Sequence, residues 1–121
     1  MKQKVVTHKQ FKEFCAEFTR WQMKMGLNGY KVYFLHTALD GCFANITCDQ
    51  RQVVATVRLT TTVSDDDAAF FNPIAHAKHE AIHLLVHRLE ERARQRYITT
   101  DEIYEATEEL VRRIEQIAEV K

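Results

Sequence analysis

The hydrophobic periodicity changes twice along this chain, and these changes limit it to a mixed α+β fold. Apolar residues recur every three or four positions from residue 11 to residue 25, alternate with polar residues between 30 and 61, and return to the helical period from residue 73. A period of 3.6 indicates an amphipathic helix, and a period of two indicates a strand with one buried face. Its 121 residues are the length of one domain. We therefore expect a single domain over residues 1–121.

The first half of the chain predicts a helix followed by three strands. A capping box at Thr7 and Gln10 opens the helix, which is expected to end near Gly26. The dipeptide Asp40-Gly41 is a hairpin signal between the first two strands. Because the connections are short, the strands are expected to form an antiparallel meander. The three predicted strands comprise residues 30–36, 42–48 and 52–61.

Two helices are expected in the second half. Asn72 as N-cap and Pro73 at the first helical position open the longer one, which runs to about Arg94. The segment TVSDDDAAFFNP before it is expected to be irregular. Thr99 and Glu102 form another capping box and open the final helix. The inner face of that helix is expected to consist of Ile103, Thr107, Leu110, Val111, Ile114 and Ile117.

Composition and charge exclude several classes of partner. The chain has 17 basic and 17 acidic residues, so no overall field draws it to nucleic acid or to an anionic membrane. It has no run of about 18 apolar residues and no signal-peptide pattern. Its three cysteines, Cys15, Cys42 and Cys48, indicate reduced thiols, most simply small core residues. We expect a cytoplasmic protein that binds neither nucleic acid nor membrane.

Residues 79–83 read His-Glu-Ala-Ile-His inside the long predicted helix. His79 and His83 lie one helical turn apart on one face, so both imidazoles can bind a single ion. Glu80 stands beside them, where it can accept a proton from a metal-activated water. The alternative is a pair of histidines on a solvated flank of the helix. We prefer the metal site, because burying these three polar side chains without a ligand costs free energy.

A catalytic zinc ion requires a third protein ligand and one open position. His87 cannot supply it, because it lies two turns, about 12 Å, from His79 in a straight helix. A final helix that folds back antiparallel would bring its second half opposite the motif. On the helical wheel Glu108 then flanks the apolar face most closely, and Glu109 is the reserve candidate.

The chain resembles the minimal gluzincins, in particular the small zincin-like metallopeptidases encoded by bacteriophages. The resemblance rests on the strand segment YKVYF to VATVRL, the motif helix HEAIHLLVHRL and the segment EELVRRIE. It implies a zincin-like fold and a zinc-dependent peptidase in the cytoplasm of the host cell. His79, His83 and Glu108 would bind Zn²⁺, and Glu80 would be the general base acting on a peptide or protein substrate. The alternative is a non-catalytic zinc-binding module that binds another protein, and the oligomeric state stays open.

The resemblance also bears on substrate binding. Zincins often bind the substrate along the last strand before the motif helix, which here is 52–61. Arg112 stands where thermolysin-like enzymes have an acidic partner, so another group must orient the histidines. An oxyanion forms during peptide hydrolysis and needs a hydrogen-bond donor. The residues that could supply it are Tyr97, Tyr104, His87 and Arg58.

Overall fold

The computed structural model describes residues 2–119 and, within them, all side chains except those at 116, 118 and 119. It confirms the mixed α+β class, although the chain begins with a short strand and not with the predicted helix. The elements are β1 (Gln3–Val5), α1 (His8–Lys24), β2 (Lys31–His36), β3 (Ala44–Asp49), β4 (Val54–Leu59), β5 (Thr62–Ser64), a 3₁₀ turn (Ala68–Phe70), α2 (Pro73–Arg94) and α3 (Thr100–Glu119).

The main sheet has the strand order β2-β4-β3, so the predicted antiparallel meander is wrong. β4 lies in the middle, antiparallel to β3 and parallel to β2. Its inward side chains, Ala55, Val57 and Leu59, are fully buried. The strand with the most regular alternation of buried and half-buried residues therefore takes the central position, where both of its edges are paired.

The segment from residue 37 to 43 explains the difference in strand order. It crosses the end of β4, where Thr37 donates a backbone hydrogen bond to Leu59 (3.1 Å) and Thr60 donates one to Phe43 (2.8 Å). Gly41 has a positive φ of 81°, the conformation that its hairpin signal indicates. The glycine does not form a tight hairpin turn between neighbouring strands. It lies in a wider loop that passes β4 on the way from β2 to β3, a distance of two strand spacings of about 4.8 Å each.

A second, two-stranded sheet joins the start of the chain to the segment before α2. β1 pairs antiparallel with β5, with Lys4 opposite Val63. Both strands have only three residues, too few for a periodic pattern, and the expectation of an irregular segment was therefore wrong at residues 62–64. This small sheet lies beside the N-terminal end of α2, since Gln3, Val63 and His76 line the same depression.

Helices α1 and α2 supply the core that covers the inner face of β4. Phe14 and Phe18 of α1 are fully buried, as are Ala77 and Ala81 of α2, whose short side chains allow close approach of a neighbouring helix. Burial of each phenylalanine stabilises the fold by roughly 1.5–3 kcal/mol. The core thus fixes one flank of α2 against α1 and leaves the opposite flank free for other contacts.

The predicted helix starts are confirmed by their hydrogen bonds. The hydroxyl of Thr7 accepts from the backbone of Gln10, whose side chain accepts from the backbone of Thr7. The Asn72 side chain accepts from the backbone of Ile74 and Ala75, at 3.1 and 3.2 Å. These caps fix where each helix begins, since they satisfy amide groups that have no partner inside the helix.

Helix α3 packs less completely than its periodicity predicts. Ala106 is buried at its centre, whereas Ile103, Val111 and Ile114 stay between 37% and 50% exposed, so the expected inner face is wrong at these three positions. Arg113 fixes α3 to the end of α1 through bonds to the carbonyl oxygens of Met25 (3.0 Å) and Gly26 (2.5 Å). Within residues 2–119, no helix combines the length and the apolar character that a membrane span requires.

Candidate functional site

A groove between β3 and α2 contains the His-Glu-x-x-His motif, and we call it the cleft. It consists of two depressions of about 570 and 540 Å³. The C-terminal half follows α2 toward Arg94, and the N-terminal half reaches β5 and Asp67, the residue before the 3₁₀ turn. The residues that line both halves, and so mark their junction, are Cys42, Ala44, His79 and Glu80.

His79 and His83 are brought together as the sequence predicts. Their Nε2 atoms lie 3.2 Å apart, with the two rings nearly perpendicular at 75°. Both residues are exposed at the floor of the cleft, one turn apart on α2, so the expectation that these two histidines are buried is wrong. The helix spacing positions both rings, because side chains four residues apart lie above one another on the same face.

This distance fits two ligands of one zinc ion. Two nitrogen atoms, each about 2.0–2.1 Å from a tetrahedral ion, are separated by about 3.3 Å. The same distance also permits a hydrogen bond between two neutral imidazoles, in which one Nε2 donates and the other accepts. The donor set and its spacing are therefore compatible with zinc, and His79 and His83 would be the residues that hold it.

Glu80 differs from its two neighbours because it is buried, with only 6% of its surface exposed. It lines both halves of the cleft, and no described residue donates a hydrogen bond to its carboxylate. Burial raises the pKa of this carboxyl, and the nearby His79 and His83 oppose that shift. A carboxylate that lines the cleft beside two potential metal ligands has the position of a general base.

The C-terminal carboxylates lie on the other side of α2. Glu109 forms ion pairs with Arg88 and, at 3.4 Å, with Arg113. Arg88 projects about 180° around the helix axis from His79, since nine residues separate them. Glu108 lines a different depression, together with Tyr104 and Arg112.

Among the described residues, no group of three His, Cys, Asp or Glu side chains has the spacing of a metal site. Glu108 and Glu109 therefore do not join the histidine pair, and their assignment as the third ligand finds no support in this arrangement. Counting along the helices predicts correctly that α3 folds back along α2, as the pairing of Arg92 with Glu102 at 3.4 Å also indicates. It does not reveal which flank of α2 the returning helix contacts.

Of the four candidate oxyanion donors, only His87 lies in the cleft, where its buried Nε2 has no described hydrogen-bond partner. Tyr97 is 82% exposed between α2 and α3, and Tyr104 is 62% exposed beside Glu108. Arg58 belongs to the outer face of the sheet, where it donates hydrogen bonds to Asn45 and Thr47, both at 3.2 Å. His87 thus stays a candidate by position.

The expectation that residues 52–61 would bind substrate as an added strand is wrong for the sheet observed. Both edges of β4 are already paired, whereas β3 is at the edge of the sheet and lines the C-terminal half of the cleft from Ala44 to Cys48. An extended ligand can add only to an unpaired edge. β3 is therefore the strand that faces the cleft with free backbone groups.

Sequence reasoning missed Cys42 as a residue of the cleft. Cys15 and Cys48 pack against the core as expected, whereas Cys42 is exposed at the junction of the two halves of the cleft. No local signal marks this position, because it depends on the wide loop that carries the chain across the end of β4. The acidic residues Glu90 and Glu91 join the cleft for the simpler reason that they continue the histidine face of α2.

No protein-family model matches the chain, and no curated protein or solved structure matches it. The geometry of the cleft must therefore indicate the function.

Proposed function

We propose that this protein is a zinc-dependent peptidase whose reaction takes place at the junction of the two halves of the cleft. The observation that carries the proposal is the 3.2 Å separation of the Nε2 atoms of His79 and His83, beside a buried Glu80. Two imidazoles at this distance can share one ion, and the fold keeps a carboxylate next to them although its burial is unfavourable. A site that only stabilised the fold would not need this third group.

The residues of the cleft would have different roles in peptide hydrolysis. A zinc ion would lower the pKa of a water molecule and polarise the carbonyl group of the substrate. Glu80 would accept a proton from the attacking water and pass it to the leaving amine. The unpaired edge of β3 would align an extended substrate, and His87 could donate a hydrogen bond to the developing oxyanion. The three free thiols fit a cytoplasmic location.

Zinc binding tests the proposal without knowledge of the substrate. We expect one zinc ion per chain after zinc is offered and the excess is removed, and none in His83→Ala. His87→Ala is the matched control, because it removes an imidazole from the same face one turn further on. At a zinc concentration of 100 times the Kd, the wild type should gain about 2.7 kcal/mol of stability, and His83→Ala should gain none. A wild-type chain that binds no zinc would contradict the proposal.

Catalysis is tested separately on the zinc-loaded protein. We expect cleavage of an unfolded protein such as casein by the wild type and a loss of at least about 100-fold in rate in Glu80→Gln, which retains both imidazoles. Equal rates in these two proteins would show that the activity comes from a contaminant. Zinc binding without any cleavage would favour the non-catalytic zinc-binding module.

A further inference from the structure

We propose that the C-terminal half of the cleft binds a lysine or arginine side chain of an extended peptide that lies along β3. This inference rests on the proposed function, since the peptide would be the substrate and the cation would help to select it. Two features of this half of the cleft identify the occupant. One wall carries an excess of negative charge, and the other is the unpaired edge of a strand.

The wall that α2 provides is acidic. Three carboxylates, those of Glu80, Glu90 and Glu91, line this half of the cleft, whereas Arg94 is the one arginine or lysine among its described lining residues. Arg94 forms an ion pair with Glu90 at 2.6 Å, and Glu91 has no ion pair with any described residue. Because the negative charges exceed the positive one, this wall attracts a cation from a ligand.

Glu80 supplies a second, independent indication that this half of the cleft faces a ligand. Only 6% of its surface is exposed, it lines the same depression, and its carboxylate accepts no hydrogen bond from a described residue. A buried carboxylate without a partner is unfavourable, and a ligand that brings hydrogen-bond donors or positive charge relieves this cost. The acidic wall therefore continues into the cleft and is not confined to its solvated rim.

β3 forms the opposite wall. In an antiparallel pair, part of the backbone N–H and C=O groups of an edge strand point away from its partner, so β3 offers them to an added strand. Cys48 of β3 lies close to Glu90, since burial and, after it, the Glu90 carboxylate raise the pKa of this thiol to about 11. A peptide that adds to the β3 edge therefore passes within reach of the acidic wall.

The carboxylates of Glu90 and Glu91 follow the histidine pair at a distance that the helix sets. They come seven and eight residues after His83, which is about 10–12 Å along the axis of α2. An extended peptide advances about 3.3 Å per residue, so this distance corresponds to about three or four residues. The bound lysine or arginine should therefore stand about three or four residues from the peptide bond that meets the histidine pair.

The N-terminal half of the cleft differs in character. Its walls include the apolar side chains of Leu39 and Phe43. Apart from the shared Glu80, its one acidic residue among those described is Asp67, which already accepts a hydrogen bond from Ser64 at 2.9 Å. The preference for a cation should therefore act on one side of the cleaved bond and not on the other.

Peptide binding to the metal-free protein tests this inference without catalysis. The probes are three fluorescein-labelled peptides of threonine and serine that differ only at the central position, which is lysine, glutamine or glutamate. We expect fluorescence anisotropy to show that the lysine peptide binds about two- to fivefold more tightly than the glutamine peptide, which is the range of a partly exposed ion pair. The glutamate peptide should bind most weakly, and added salt should reduce these differences.

Variants of Glu91 show whether the acidic wall is responsible. Glu91→Gln should bring the ratio of the lysine and glutamine affinities toward one, and Glu91→Lys should make the glutamate peptide the preferred ligand. Glu105→Gln is the matched control, because it removes the same charge from an exposed residue of α3 and should keep the wild-type ratio. Circular dichroism verifies that each variant folds. Equal affinities for the three peptides, no binding of any of them, or an unchanged preference in Glu91→Gln would overturn the inference.

The sites of cleavage separate this inference from the proposed function. If the zinc-loaded protein cleaves casein, mass spectrometry of the products should show lysine or arginine about three or four residues from the cleaved bonds, on one side only. Cleavage without this pattern would overturn the cation preference and leave the zinc peptidase standing. A wild type that binds no zinc but prefers the lysine peptide would overturn the peptidase and leave the cation-binding half of the cleft standing.

Discussion

The two flanks of α2 show how one helix serves packing and chemistry at once. The flank toward the core carries Ala77, Ala81 and Leu84, each at most 1% exposed. The flank toward the cleft carries exposed His79 and His83 one turn apart, and buried Glu80 lies between the two flanks. The first flank stabilises the fold through buried apolar surface, whereas the second holds polar groups that the fold alone does not need.

The two flanks should therefore respond differently to substitution. A change on the core flank removes contacts that exist in the folded protein, so it costs stability directly. A change at the exposed histidines removes groups whose partner would be an ion, so its cost should emerge only when the ion is present. Substitutions on the core flank, at the Arg113 anchor of α3 and at Glu80 should change the free energy of unfolding by successively smaller amounts.

The largest effect is expected for Leu84→Ala on the core flank. Truncating this side chain leaves a cavity in the core, and such changes cost about 2–5 kcal/mol. His83→Ala, one position away on the cleft flank, should change the stability of the metal-free protein by less than about 0.5 kcal/mol. Urea unfolding monitored by circular dichroism measures both. Equal losses in the two variants would show that the cleft flank also carries the fold.

A smaller loss is expected for Arg113→Ala at the anchor of α3. This guanidinium donates to the carbonyl oxygens of Met25 and Gly26 at the end of α1 and also bonds Glu109. Hydrogen bonds from a charged donor contribute about 1.5–3 kcal/mol, and the loss should lie in that range. Arg112→Ala is the matched control because Arg112 is exposed, and it should have little effect. Similar unfolding midpoints for both variants would mean that α3 does not depend on this anchor.

The smallest effect, with the opposite sign, is expected for Glu80→Gln. A buried carboxylate that receives no hydrogen bond from a described residue destabilises the fold more than a neutral amide does. The metal-free variant should therefore be more stable than the wild type by roughly 1 kcal/mol, as measured by thermal or urea unfolding at pH 8. Glu91→Gln makes the same change at a half-buried residue of the cleft and should be neutral. A loss of stability in Glu80→Gln would mean that the fold, and not the chemistry, requires this carboxylate.

The accuracy of the sequence predictions follows the distance over which each interaction acts. The helix caps at Thr7 and Asn72 were predicted correctly, because each depends on residues two or three positions away. The pairing of His79 with His83 was also predicted, since helix geometry alone places them together. The parallel pairing of β2 with β4 was missed, because strand order depends on which strand the fold pairs at both edges.

The same distinction applies to the site. The sequence by itself determined a helix with two imidazoles one turn apart and a carboxylate between them, because these positions follow from the 3.6-residue period. Only the tertiary structure decided that β3 and Cys42 border the cleft and that Glu108 and Glu109 lie beyond the opposite flank of α2. The reason is that a helical period fixes directions around one axis, whereas the neighbour that each direction meets depends on how the rest of the chain packs.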